Sequence, residues 1–195
     1  MAASPIPHPG GRAPAPAPLD LIQDFVNTEI PEWHRDDLGT PGELAGWLAA
    51  RGLLDGGALV SADEFLRARD LRAALRELLY RNTEAGPLTE AAGAGVDGAL
   101  GAVPLVACVT ADGSIGVRAA GVGVDRALGE LLAIVVASAR DGSWSRLKAC
   151  AKDSCRWAFF DQSRNRTSSW CSMSICGNRV KTSLYRRRRT GQGGA

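Results

Sequence analysis

Two pairs of cysteines near the C-terminus constrain this chain more than any other feature. Cys150 and Cys155 are separated by four residues, as are Cys171 and Cys176, and fifteen residues lie between the pairs. Each pair can offer two thiolates from one turn, and the intervening loop lets the pairs converge on a tetrahedral ion. The segment has only Trp157, Phe159, Phe160 and Trp170 as its main large apolar residues, too few to fold unaided. Metal binding contributes on the order of 10–16 kcal/mol in zinc-finger peptides, enough to close that gap. The expectation is therefore one structural Zn2+ per chain, held by Cys150, Cys155, Cys171 and Cys176.

Competing chemistries fit less well. The usual bacterial Fe–S spacing is tighter and is followed by proline. A catalytic zinc keeps one position open and takes histidine or carboxylate among its ligands. The chain has two histidines in all, and it offers no Gly-rich phosphate loop and no Ser/His/Asp arrangement. A closed, non-catalytic site in a protein that is not an enzyme is expected. His8 and His34 need no metal role, and Cys108, flanked by Val106 and Val109, is expected to be a buried, inert thiol.

Charge is distributed unevenly. The net charge of +2 hides 12 Lys+Arg against 2 Asp+Glu from Trp144 onward, and 11 against 19 before it. Such a split suggests two parts, the basic one facing an anion. Arg156, Arg164, Asn165, Arg166, Asn178, Arg179, Lys181, Arg186, Arg187, Arg188 and Arg189 are the candidate contacts to double-stranded DNA. A basic helix running from about Ser174 toward Arg189 would set arginine and asparagine against base edges while neighbouring charges hold phosphates. A homodimer would suit a palindromic site. No apolar run approaches the roughly 18 residues that span a bilayer, and no secretory signal pattern opens the chain, so a cytoplasmic protein without a membrane partner is expected.

The fold class expected is α+β: a mainly helical N-terminal domain with a small antiparallel hairpin, then a four-cysteine zinc module ending in a basic helix. Residues 1–18, rich in Pro and Ala, read as a disordered leader. Residues 19–143 form the acidic domain, 144–189 the finger and 190–195 a flexible tail. Asp20 is expected to cap a first helix burying Ile22, Phe25 and Val26. Capping boxes at Thr40–Glu43 and Ser61–Glu64 start two more helices. A helix over 89–101, a hairpin around Ala111-Asp112-Gly113, and a helix capped by Asp125 and ended by Asp141-Gly142 complete the domain. Asp24 and Asn27, at i and i+3, could line a ligand pocket or serve as helix-surface or capping groups.

The C-terminal stretch resembles the CGNR zinc finger family, whose tetrad stands here as Cys176-Gly177-Asn178-Arg179. The likeness runs from Leu147 through Arg189. It takes in Cys-x4-Cys, Trp157-x-Phe-Phe-Asp161, Ser163, Asn165, Trp170-Cys171-Ser172-Met173 and Lys181. The N-terminal part is similar to the alanine-rich ABATE domain in its Asp24-Phe25-Val26-Asn27-Thr28 segment. Together these resemblances imply a bacterial transcription regulator, with an N-terminal domain that senses a signal or small-molecule effector and a finger that binds DNA. The alternatives are an N-terminal domain that binds or transforms a small molecule, with the finger used for assembly, and a regulator that binds RNA or RNA polymerase. In one departure from the family pattern, Ser168-Ser169 stand where basic residues often precede the Trp-Cys pair.

Overall fold

Local signals place most of the helices. The computed structural model describes residues 11–84, 86–180 and 182. Thr40 accepts a bond from the Glu43 amide and starts α2 (Pro41–Ala50), with proline in its first turn. Ser61 and Glu64 complete a reciprocal capping box at the head of α3 (Ala62–Thr83), satisfying two amides that the helix itself leaves bare. Helix α1 (Leu19–Asn27) precedes both. Between α1 and α2 lies a short ribbon, β1 (Glu29–Ile30) paired antiparallel with β2 (Arg35–Asp36) across the turn Pro31–Trp33.

Helix α4 (Glu90–Gly101) leads to the hairpin β3 (Leu105–Val109) and β4 (Ile115–Ala119), paired in register from Leu105↔Ala119 to Val109↔Ile115. Helix α5 (Gly123–Asp141) lies against this hairpin. A side chain at Gly129 would stand 2.8 Å from Ala119 Cβ and 3.2 Å from the Pro104 carbonyl, so glycine sets that close approach. Gly142, in left-handed conformation at φ 79°, ends α5. A third hairpin follows, β5 (Leu147–Ala149) paired with β6 (Ala158–Phe160). The fold is α+β, as expected. Among the described residues, no helix is long and apolar enough to cross a membrane.

Several local expectations need correction. Asp20 does not cap α1: the helix begins one residue earlier, after Pro18, and the Asp20 carboxylate bonds the Leu21 amide within the first turn. Asp125 does not cap α5, which starts at Gly123; its carboxylate instead meets Arg67 of α3 at 2.7 Å. Cys108 is half-buried rather than buried, because α5 covers the hairpin incompletely and leaves Val109 and Ile115 each 75% exposed. His34 lies at the surface, in left-handed conformation at φ 50°.

Packing revises the expected leader and joins the two expected domains. Residues 11–18 of the expected disordered leader are laid down on the protein: Ala15 is buried and its amide bonds Gln23 Oε1 at 2.7 Å. Arg12 reaches the second cysteine pair, donating to the Trp170 and Cys171 carbonyls at 3.1 and 2.8 Å and stacking over Phe159. The expected boundary at 143/144 divides the chain in sequence but not in packing. Leu147, Ala149 and Ala158 of the third hairpin are fully buried in one apolar cluster with Phe25, Val26, Leu75, Leu79 and Leu131.

That shared core is reinforced by polar clamps that sequence patterns did not reveal. From α3, Asn82 donates to the Trp144 and Leu147 carbonyls, each at 2.9 Å, and Thr83 donates to Ala149 at 2.6 Å. Arg72 is only 2% exposed and holds Asp36 with two bonds of 2.7 Å while a third donor bond reaches Thr28. Burial alone would raise the Asp36 carboxyl, but the bonds from Arg72 and the Leu38 amide outweigh it and leave the group below its ordinary value. One turn on, Arg76 pairs with the Glu29 carboxylate and donates to the Val26 and Glu29 carbonyls. The β1–β2 ribbon is thus tied to α3 at its base.

Candidate metal centre and finger surface

The four C-terminal cysteines converge. All four sulfurs lie within 4.8 Å of one another and all four residues are buried. Cys155 Sγ is 3.7 Å from Cys171 Sγ, which is 3.6 Å from Cys176 Sγ. These are not disulfide distances, since a sulfur–sulfur bond is about 2.05 Å. A tetrahedral ion with thiolate bonds of about 2.3 Å requires sulfurs about 3.8 Å apart, close to these two spacings.

The acid–base chemistry of the cluster agrees. The Cys150 thiol is pulled down to about 2, chiefly by a hydrogen bond from Cys155 with help from Cys171. Cys155 and Cys171 are pushed up, each first by its bond to Cys150, and Cys176 is pushed up by burial. Thiols packed this closely oppose one another's ionisation, because like charges at this distance repel. A bound divalent ion lets all four ionise together.

The surrounding elements explain how each sulfur is placed. The Cys150 amide donates to the Trp157 carbonyl, continuing the β5–β6 ladder, and Lys152 closes the first turn by accepting from Cys155. Ser172 opens the second: its hydroxyl accepts from Ile175 and its carbonyl accepts from Cys176. Residues Met173–Gly177 form a wide π-helical turn, followed by ordinary helix at 178–180. At Gly177 of the CGNR tetrad a Cβ would stand 3.2 Å from Trp170 and 2.4 Å from Met173 Sδ, so a side chain there would have to displace the exposed Met173 and press on Trp170.

Between the cysteine pairs, a buried ion pair fixes the loop. Lys148 and Asp161, 3% and 0% exposed, meet at 3.0 Å. Lys148 also donates to the Arg166 and Ser168 carbonyls, and Asp161 accepts from the Ser163 and Ser168 amides. Burial would raise the Asp161 carboxyl, but bonds from Ser163, Lys148 and Ser168 win and hold it far below the usual range. Every donor and acceptor of the pair is matched, which buried charges require. The aspartate of Trp-x-Phe-Phe-Asp is therefore the loop's internal anchor, and no sequence signal separates its partner Lys148 from the module's other cations.

The expected DNA contacts fall into distinct settings. Arg164, Asn165 and Arg166 are exposed on the anchored loop, and Asn178 and Arg179 are exposed just after the last cysteine. Arg156 differs: its guanidinium stacks 3.4 Å from the Tyr80 ring centre of α3 and pairs with Asp153. Lys181, Arg186, Arg187, Arg188 and Arg189 lie outside the described residues.

The expected pocket pair is engaged with protein partners. Asn27 accepts from the Ala158 amide at 2.8 Å and donates to the Ala158 carbonyl at 2.9 Å, clamping β6 to α1. Asp24 lies 3.5 Å from Arg51, whose guanidinium stacks on Trp47. Burial pushes the Asp24 carboxyl up, with Arg51 pulling against it. An open cleft of about 550 Å³ lies elsewhere, between α3 and α4, lined by Arg67, Asp70, Glu77 and small α4 residues.

A buried four-cysteine cluster placed to hold a metal, flanked by a β5–β6 hairpin whose inner residues lie in the helical domain's core, defines a zinc-finger-like module packed against a helical domain. Residues 146–189 match the CGNR zinc finger. Residues 19–142 match the ABATE family, described as "Putative stress-induced transcription regulator", and this match covers most of the chain, which belongs to that family. No curated protein matches the chain.

Replacing Asp161 with asparagine leaves the Lys148 ammonium buried without its counter-ion. Asp161→Asn is expected to lower stability by about 3–5 kcal/mol at neutral pH, read from urea unfolding. Because the folded carboxyl is depressed, its contribution is complete above the ordinary value of 3.8 and fades as pH falls below it. A loss under about 1 kcal/mol would place the pair among weak surface bridges.

Proposed function

We propose that this protein is a bacterial, cytoplasmic transcription regulator that binds double-stranded DNA through its finger. In this reading it is not an enzyme, and its helical domain receives the signal, with a small-molecule effector as one form that signal can take. The observation that carries the reading is the placement of Asn178 and Arg179. They are exposed, directly follow the ligand Cys176, and ride on a turn fixed by the metal centre. A planar guanidinium on so rigid a mount suits bidentate pairing with a guanine edge, worth roughly 1–3 kcal/mol of discrimination. The anchored loop bearing Arg164, Asn165 and Arg166 adds groups for phosphate. Any effector acts by binding the DNA-competent and incompetent states with unequal affinity. A homodimer reading a palindrome fits the same scheme.

The metal proposed is zinc, one per chain. Its role is structural: it neutralises four thiolates and holds the two knuckle turns together. Metal analysis of the purified protein is expected to return one zinc per chain, with Cys171→Ser losing it and Cys108→Ser keeping it. Full retention by Cys171→Ser would overturn the ligand assignment.

The DNA reading is tested by selecting binding sites from random duplexes and titrating variants on the selected and random sequences. Arg179→Ala should weaken the selected site by roughly 5- to 150-fold and random DNA far less. Equal losses on both, with zinc retained, would remove the base-reading role. No selectable site at all would remove the DNA reading.

A further inference from the structure

The helical domain places one acidic side chain on the finger's exposed cations. Glu32, on the turn Pro31–Trp33 at the tip of the β1–β2 ribbon, accepts through one carboxylate oxygen from two donors. They are Lys152 Nζ at 2.5 Å and Arg179 Nη1 at 3.1 Å. Lys152 stands between the first two cysteines and Arg179 follows the last, so this single oxygen bridges the two halves of the knuckle. An ammonium and a guanidinium sharing one anionic oxygen is also the arrangement that a nucleic-acid phosphate draws from a protein.

The contact is seated by its neighbours. Ile30 is buried against the cysteine cluster, and the Trp33 ring lies 6.4 Å from the Trp157 ring. The ribbon's base is held to α3 by Arg72 and Arg76. Its tip, however, grips the finger through Glu32 at side chains that are partly open to solvent: Arg179 is 62% exposed.

We propose that Glu32 is a built-in competitor for DNA. Its carboxylate holds Lys152 and Arg179 in the free protein, and nucleic acid takes both over, Lys152 for a phosphate and Arg179 for a base edge. This adds Lys152 to the binding surface and makes the ribbon's position a determinant of DNA affinity. The inference rests on the finger binding DNA, as proposed above.

The test is fluorescence anisotropy with a labelled random-sequence duplex, from low to physiological salt, on zinc-loaded full-length protein. Arg179 has no matched base there, so the gain from freeing the cations runs through Lys152. Glu32→Gln keeps the shape and removes the charge, and it should tighten binding roughly five- to tenfold. It should also steepen the slope of log affinity against log salt by about one, because no carboxylate is left to draw back a cation. Glu32→Asp, one methylene shorter, should give a smaller gain. Adding Lys152→Gln to Glu32→Gln should bring affinity back near that of the wild type.

Unchanged or weaker binding by Glu32→Gln, with zinc content and melting temperature retained, would make Glu32 a structural brace and overturn the proposal. Should Glu32→Gln fail to fold, Glu32→Asp decides: a gain in random-duplex affinity supports the clamp, and no gain overturns it. If the wild type binds duplex and Glu32→Gln binds no tighter, this inference alone falls. If neither binds any duplex, the DNA reading falls and takes this inference with it.

Discussion

Four sulfurs within 4.8 Å of one another cannot all be anions unless a cation sits among them, and the finger module, about a quarter of the chain, is organised by that constraint. The module has little apolar material of its own, so a metal held by the four cysteines would supply the stability that a core otherwise gives. What surrounds the knuckle then follows in layers. The Lys148–Asp161 pair shapes the loop between the ligands, Ser172 shapes the second turn, and Gly177 lets Met173 and Trp170 close over it. None of these groups touches the sulfurs' charge directly, yet each fixes where an exposed arginine stands.

The knuckle in turn depends on the helical domain. Asn27 ties Ala158 to α1, Asn82 and Thr83 tie β5 to α3, and Arg12 ties residues ahead of α1 to the second cysteine pair. Leu147, Ala149 and Ala158 belong to the same core as Phe25 and Leu79. In the proposed reading, a signal received on α1 or α3 would have short mechanical routes to the finger. The Glu32 contact adds an electrostatic route. Coupling of this kind needs an element with two arrangements that ligand and DNA bias differently, and the ribbon tip is the natural candidate because its base and its tip are held by different parts of the molecule.

Much of this was legible in the sequence. The cysteine spacing and its matching pair turns gave away the metal site, and Thr40 and Ser61 marked two helix starts because capping chemistry is local. Asp20 and Asp125 misled for the complementary reason: an acidic residue near a helix start also serves inside the first turn, as Asp20 does, or in a tertiary pair, as Asp125 does. The polar clamps were invisible because nothing in a chain's periodicity distinguishes an asparagine facing solvent from one facing a strand 131 residues away. Arg72 sits among apolar positions of α3 as one arginine of many, and only the placement of Asp36 and Thr28 makes its burial affordable. The Pro/Ala-rich start looked like a spacer, but Arg12 and Ala15 find partners that lie far along the chain.

The central claim is that metal centre and helical domain form one cooperative structure joined at α1, α3 and the third hairpin. Amide hydrogen exchange of the full chain, before and after chelation of the metal, tests it most directly. The account predicts that the Ala158 amide loses protection on chelation, and that α1 and the C-terminal half of α3 lose protection with it. Full protection throughout α1 and α3 after the finger has opened would contradict it.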